Sequence, residues 1–190
     1  MDADGVTLTC ATRAELRAAR RTGARAALVG LGARSGVPDG PLVSFGLAGA
    51  LRDDLPVGTV LDATRVVDAQ GVELWSGEGL GVSQAGTILA ADEIVDDPAE
   101  RRRLHAQTGA DAVDLESGAL ARTGRLHGVV RAVSDTPSRP LDGIAGGVNA
   151  DGSYSWAGLA RAFVRSPRSF VRAASDARRA LDRLGRSWAA

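Results

Sequence analysis

Three acidic residues stand where acids are costly. The segment VVRAVSDTP, Val129 to Pro137, is a nearly unbroken apolar run that ends on Asp135, with Ser134 and Thr136 able to orient the carboxyl and Pro137 stopping the strand. In open α/β sheets ligands collect beyond the carboxyl ends of strands, which gives Asp135 a place in a site. A turn or helix N-cap aspartate would account for the residue taken alone. Glu116, in ADAVDLESGALA, opens a helix whose neighbouring positions are Ala112, Val113, Ala119 and Leu120, all apolar. An ionised carboxylate against such a face is expensive unless it is hydrogen-bonded or gains proton affinity, so it points to a polar ligand. The alternative is a glutamate favoured by the helix dipole. Glu15, in CATRAELRAAR, has Ala18 and Ala19 ahead and Thr12 and Ala11 behind, so no helical ion pair explains it and simple solvent exposure is the alternative.

Between these acids lies VSFGLAGALRDDLPVG, in which Gly46 and Gly49 let backbone approach a ligand closely. It is neither GxGxxG nor GxxxxGK, so dinucleotide and P-loop readings are unsupported. Cys10 sits in the apolar run VTLTCA and reads as a buried thiol; as the single cysteine it excludes an internal disulfide, and no Cys/His spacing supports a metal site. No cofactor is expected. His105 and His127 fall on helix-type segments without partners at ligand or triad spacing, and both read as surface or packing residues. Trp75, Trp156 and Trp188 read as packing residues, with Trp156 a candidate pocket rim. Asp97 is placed to cap a helix beginning at Pro98.

The elements that must position these residues alternate between short β-type runs and alanine-rich helical segments, the pattern of an α/β fold. Strands are expected at Gly5 to Cys10, Ala26 to Gly32, Leu42 to Gly46, Thr59 to Asp68, Gly71 to Trp75, Ala85 to Ala91, Ala110 to Leu115 and Gly128 to Asp135. Several lack polar alternation, as central strands covered on both faces do. Helices are expected over Arg13 to Thr22, Pro98 to Thr108 and Glu116 to Leu126, then a pair from Trp156 broken at Pro167.

The 190 residues suit one domain, with a basic helical carboxy-terminal segment over 155–190. The net charge is zero, which gives no warrant for nucleic-acid binding. From Ser155 onward eight arginines face two aspartates, a net +6 that leaves −6 for the remainder. Apolar residues recur there at helical spacing with arginines in the gaps, as in a helical layer with a solvated basic face or one that meets an anionic membrane surface or a partner. No apolar run approaches the roughly 20 residues needed to span a bilayer, and the amino terminus lacks a signal peptide's layout, so the cytoplasm is the expected compartment.

Taken in order, SFGLAGAL at Ser44 to Leu51, VDLE at Val113 to Glu116 and RAVSD at Arg131 to Asp135 resemble the motifs of the nucleoside phosphorylase and nucleosidase superfamily. These are a glycine loop S-x-G-x-A-G-x-L, a helix opening that ends in glutamate, and a strand ending in Ser-Asp. The chain is most similar to the hopanoid-associated nucleosidases, often labelled phosphorylases, which share SFGLAG, VDxES and a carboxy-terminal pattern like GGVNADGSYSWAGLARAFVRSPRSFVRAASDARRAL. The resemblance covers most of the chain and is poorest from Ala63 to Val82, where a helix usual in the superfamily is missing.

The resemblance implies a three-layer α/β/α phosphorylase/hydrolase-like fold around a central mixed sheet. It implies that Asp135 is the general acid toward N7 of a purine, that Glu116 binds the ribose hydroxyls and that Glu15 orients or deprotonates the attacking water. Further substrate contacts are implied at Phe45, Ala48, Gly49, Ile94, Val95, Leu115 and Ser134. Cleaving an N-glycosidic bond builds positive charge on the sugar and negative charge on the departing base, which an acid on one side and a carboxylate on the other address. No arginine precedes the glycine loop, where superfamily phosphorylases carry one, so water attack is preferred to phosphorolysis.

The expected substrate is a 5′-substituted adenosine, with adenosylhopane as the hopanoid-type case. Ile94 stands where methylthioadenosine-type nucleosidases offer an aromatic ring, which counts mildly against that class. The implied partners are a small nucleoside, lipid-linked in the hopanoid case, the inner membrane surface met peripherally through the carboxy-terminal segment, and a second copy of the chain. A nucleoside-binding scaffold without turnover is the non-enzymatic alternative.

Overall fold

The computed structural model describes residues 5–141, 149, 151–153 and 155–189. Strand β1 (Thr7–Cys10) leads into helix α1 (Arg13–Arg20), which is followed by β2 (Ala26–Leu28), β3 (Leu42–Ala50), β4 (Val60–Val67), β5 (Glu73–Ser76) and β6 (Gln84–Ala90). Then come α2 (Pro98–Thr108), β7 (Ala112–Asp114), α3 (Ser117–Ala121), β8 (Leu126–Asp135), α4 (Trp156–Arg165) and α5 (Pro167–Ala189).

The eight strands form a mixed sheet in the order β2-β1-β3-β7-β6-β4-β5, with β8 paired in parallel to β3 and antiparallel to β4. The mixed sheet expected from the sequence is present, and part of it closes on itself. Strand β3 runs alongside β1 and β8 through its first residues, shifts register at Ala48/Gly49, and then pairs Gly49 and Ala50 with Val113 and Ala112 of β7. That bend brings the ends of β3, β7 and β8 to one place, with Gly49 the register partner of Asp135.

Both faces of the sheet are covered, which is why the strands read as continuous apolar runs. On β8, Val129 and Val133 pack with Leu61, Ile88 and Leu120, while Val130 and Ala132 pack with Leu8, Phe45, Ala180 and Leu184. The period-two alternation of a strand thus points Arg131 to the same side as Val129 and Val133. Helix α5 lies over β8 and β3, and its Trp188 meets Phe45 edge-on with ring centroids 6.0 Å apart.

Local chemistry explains the boundaries. Helix α1 opens on a capping box in which the Thr12 hydroxyl accepts from Glu15 N and the Glu15 carboxylate accepts from Thr12 N. Asp97 caps α2, as expected. Strand β2 stops short of the expected Gly32 because Gly30 takes φ 73 and a short 3-10 turn follows at Leu31–Ala33. Helix α3 ends at Ala121 rather than Leu126, because Gly124 takes the left-handed conformation (φ 67) and the chain turns into β8. His127 therefore lies on β8, exposed, and not on a helix. Between Ala63 and Val82 the chain completes β4 and returns as the antiparallel β5, with no helix.

Candidate active site

Glu15, Glu116 and Asp135 line one cavity of about 680 Å³. All three are buried, at 3%, 4% and 3% exposure, so solvent exposure does not explain Glu15. Each comes from a different segment: Glu15 from the first turn of α1, Glu116 from the residue preceding α3, Asp135 from the last position of β8.

Glu15 is fixed at both oxygens. Oε2 accepts from Thr12 N at 2.7 Å and from the Thr12 hydroxyl at 2.9 Å, and Oε1 accepts from Leu47 N at 2.7 Å. The glycines expected in a loop make this possible, although they lie within β3, which runs on to Ala50 rather than ending at Gly46. A Cβ on Gly46 would collide with Glu15 Oε1 and stand 2.5 Å from Arg131 Nη1, so the missing side chain makes room for the site's own charged groups.

Arg131, 1% exposed, is the cation around which this half of the site is built. Its Nη2 lies 2.5 Å from Asp114 Oδ2 and 3.2 Å from Glu116 Oε2, and donates to the Ser44 hydroxyl at 2.6 Å. The other Glu116 oxygen accepts from Gly32 N at 3.1 Å. Ser117 donates its hydroxyl to Asp114 in a short contact, which holds that carboxylate under the arginine. Burial pushes the Glu116 carboxyl up to about 8 against the pull of Arg131, with Asp114 and Glu15 adding to the rise. Burial also works against the Arg131 charge, but Asp114, Glu116 and Glu15 together hold its proton more firmly than usual.

Asp135 belongs to a second cluster. Its Oδ1 accepts from the Ser134 hydroxyl at 2.5 Å, and its Oδ2 meets the Arg101 guanidinium as an ion pair. Burial raises its proton affinity above the ordinary carboxyl range, while Arg101 and the Ser134 hydroxyl lower it. The result is a desolvated carboxyl facing a cavity, with its proton affinity raised by burial and moderated by Arg101 and Ser134.

Of the other residues expected at the site, Ala48, Gly49, Ile94, Val95, Leu115 and Ser134 line the same cavity. Phe45 does not: strand alternation turns its ring to the opposite face, where it is fully buried against Trp188. The side chain of Trp156 lies outside the described residues. Trp75 donates its indole N–H to Leu126 O at 2.8 Å and packs against the core. Cys10 is buried, and burial, reinforced by Glu15, raises its thiol so far that it stays un-ionised.

Sequence reasoning did not single out Arg101, Arg131 or Asp114. Arg131 carried a signal, an arginine inside an apolar strand, whereas Arg101 is hidden in the run Arg101-Arg102-Arg103. The far wall of the cavity also went unassigned. It is formed by Leu159 of α4 and by Phe170, Ala173, Ala177 and Leu181 of α5, with Arg17 of α1 and Arg178 of α5 among the lining residues.

No protein-family model matches the chain, and no curated protein matches it. Solved structures do. A methylthioadenosine nucleosidase variant from Chlamydia trachomatis bound to MTA superposes with a TM-score of 0.65 at 12% identity, over 97% of this chain and 95% of that one. The native futalosine hydrolase of Helicobacter pylori gives 0.55 at 15% identity, over 95% and 98%. The Helicobacter pylori 5′-methylthioadenosine/S-adenosyl homocysteine nucleosidase gives 0.55 at 17% identity, over 96% and 99%. The chain has the fold of these methylthioadenosine nucleosidases and of the futalosine hydrolase.

Proposed function

We propose that the chain is a nucleosidase that cleaves the N-glycosidic bond of a 5′-substituted adenosine by water attack, releasing adenine. The observation that carries this reading is the convergence of Glu15, Glu116 and Asp135, from three distant segments, on one cavity. In the proposed reaction Asp135 gives its proton to N7 as the bond from C1′ to the base breaks. Glu116 holds the ribose hydroxyls, whose O–H groups would favour its ionised form. Glu15 accepts a proton from the water whose oxygen bonds to C1′. Two of the solved structures compared above are methylthioadenosine nucleosidases and one is a futalosine hydrolase, which supports the choice of reaction.

The cavity favours an apolar 5′ substituent. Beyond the acids its wall passes to Leu159, Phe170, Ala173, Ala177 and Leu181, an apolar surface of the kind a hydrocarbon group fills. Adenosylhopane is the specific substrate this reading carries forward from the hopanoid-type resemblance. Phosphorolysis is the second reading, favoured by Arg17, an exposed cation of α1 among the lining residues, since phosphate would require a cation.

The same helices present Phe163, Val164 and Val171 to solvent at 47%, 81% and 61% exposure, interleaved with arginines. We place this face against an anionic membrane, in keeping with a cytoplasmic enzyme that takes a lipid substrate at the inner surface. Equal sedimentation with neutral and anionic liposomes would count against that placement. Self-association through the sheet-covering helices is part of the same reading and is measured by sedimentation velocity.

Incubation with a panel of 5′-modified adenosines, with and without phosphate, followed by detection of free base, tests the function. Adenine release in plain buffer that Asp135→Asn lowers by about 10²–10⁴-fold supports hydrolysis. A requirement for phosphate, with a sugar 1-phosphate as product, replaces it by phosphorolysis. Binding without turnover reduces the chain to a nucleoside-binding scaffold.

A further inference from the structure

Arg101 takes no part in the reaction as written above, yet it is the cation in contact with the acid. Its side chain is 1% exposed and spends its donors in three directions. Nε donates to Val95 O at 2.8 Å, Nη1 reaches Ala50 O at 3.4 Å, and Nη2 forms the ion pair with Asp135. Val95 belongs to the turn that forms one wall of the cavity beside Ile94, and Ala50 ends β3. One planar group thus ties the acid to the wall expected to face the base.

We propose that Arg101 is a positioning residue for Asp135, clamping the carboxyl to the turn at Ile94 and Val95 and governing when it gives up its proton. This rests on the reading of Asp135 as the acid. An acid used in every turnover must lose its proton to the leaving base and regain it, and a carboxyl buried without a cation would hold it too tightly to be a good donor.

Among the described residues, Asp135 shares its cavity with charged groups from several elements, including Arg17 and Arg21 of α1, Asp114 of β7, and Arg178 and Asp182 of α5. Arg101 comes from α2, and Asp96, whose Oδ1 is 3.8 Å from Arg101 Nη2, from the turn before it. Ala48 and Gly49 of β3 carry no charge, and Glu15, Glu93 and Glu116 share the cavity wall. The pair is also closely confined, since a Cβ on Gly49 would stand 3.0 Å from Asp135 Oδ2 and 3.1 Å from Arg101 Nη2. Lysine offers a point charge but not the fork that reaches two carbonyls and a carboxylate at once.

The test reads the Asp135 titration directly, by carboxyl-¹³C NMR with the signal assigned by its loss in D135N, alongside the pH profile of kcat. In R101Q the Asp135 midpoint should rise by about one to three units, and the alkaline limb of kcat should rise with it. In R101K, which keeps the charge, the midpoint should stay nearer that of the wild type while kcat falls from misplacement of the acid. A folded R101Q with an unchanged midpoint overturns the proposal.

If R101Q does not fold, the wild-type protein still decides. The Arg101 Nε–H resonance must shift with the Asp135 midpoint, and a resonance that ignores that titration overturns the proposal. Because these signals are read without substrate, absence of adenine release sinks the nucleosidase reading without being confused with failure of the Arg101 pairing.

Discussion

Gly49 and Asp135 are register partners on the parallel strands β3 and β8, and the space a Gly49 side chain would need is the space the Asp135 carboxyl occupies, 3.0 Å away at Oδ2. The glycine near the end of β3 and the acid at the end of β8 are therefore one steric unit. Gly49→Ala should displace the carboxyl by a few tenths of an ångström. The expected result is a fall in kcat of about 10-fold or more with little loss of melting temperature, since misplacement of a reacting group is costly even when the fold survives. Unchanged kcat would show that the acid tolerates the shift.

Gly46 is the counterpart under Glu15. Here the added methyl would collide with Glu15 Oε1 and with Arg131 Nη1 at 2.5 Å, and both partners are buried and held by hydrogen bonds. Neither can withdraw to water. Gly46→Ala should therefore destabilise the protein by about 1–3 kcal/mol, measured by denaturant titration. A smaller loss than in Gly49→Ala would contradict this ranking of the two positions.

Arg131 is the group whose removal should hurt the fold most. Asp114, 2.5 Å from it, and Glu116, 3.2 Å from it, would both remain buried without a cation. Breaking a buried ion pair from one side costs about 3–5 kcal/mol. Arg131→Met should show such a loss at neutral pH and recover part of it in acid, where the orphaned carboxyls take up protons. Urea unfolding at two pH values checks both statements.

The buried acids also set a pH dependence of stability. Burial raises Glu116 from its ordinary 4.5 to about 8 and raises Asp135 as well, so between these limits the folded chain holds protons that the unfolded chain has lost. The native state binds more protons, and stability must fall as pH rises through that window. The slope is at most about 1.4 kcal/mol per pH unit for each such proton. Asp53, lowered by its hydrogen bond with Arg102, contributes in the opposite sense, but only as pH falls below the ordinary carboxyl range. Glu116→Gln should flatten the decline between pH 5 and pH 8, as seen by thermal melting. An equally steep decline in the variant would mean that Glu116 is ionised throughout.

The sequence by itself determined the elements and the identity of the three acids. Apolar runs without alternation announced covered strands, Asp97 and Pro167 marked helix boundaries, and a carboxylate ending a buried strand marked Asp135. These signals are local: they depend on neighbours within a turn or a strand repeat. What only the tertiary structure decided is which charges share a cavity.

Arg101 and Arg131 lie 34 and 4 residues before Asp135, yet the nearer one serves Glu116 and the farther one serves Asp135. Arg131 stands four residues before the acid on the same strand, but it is engaged by Asp114, Glu116 and Ser44, and Arg101 of α2 reaches the acid instead. Phe45 shows the same limit, since its motif placed it at the site while the face of the strand placed it in the core against Trp188. Pairing of buried charges is settled by which faces meet when the sheet bends and the helices close over it. Spacing along the chain does not record that.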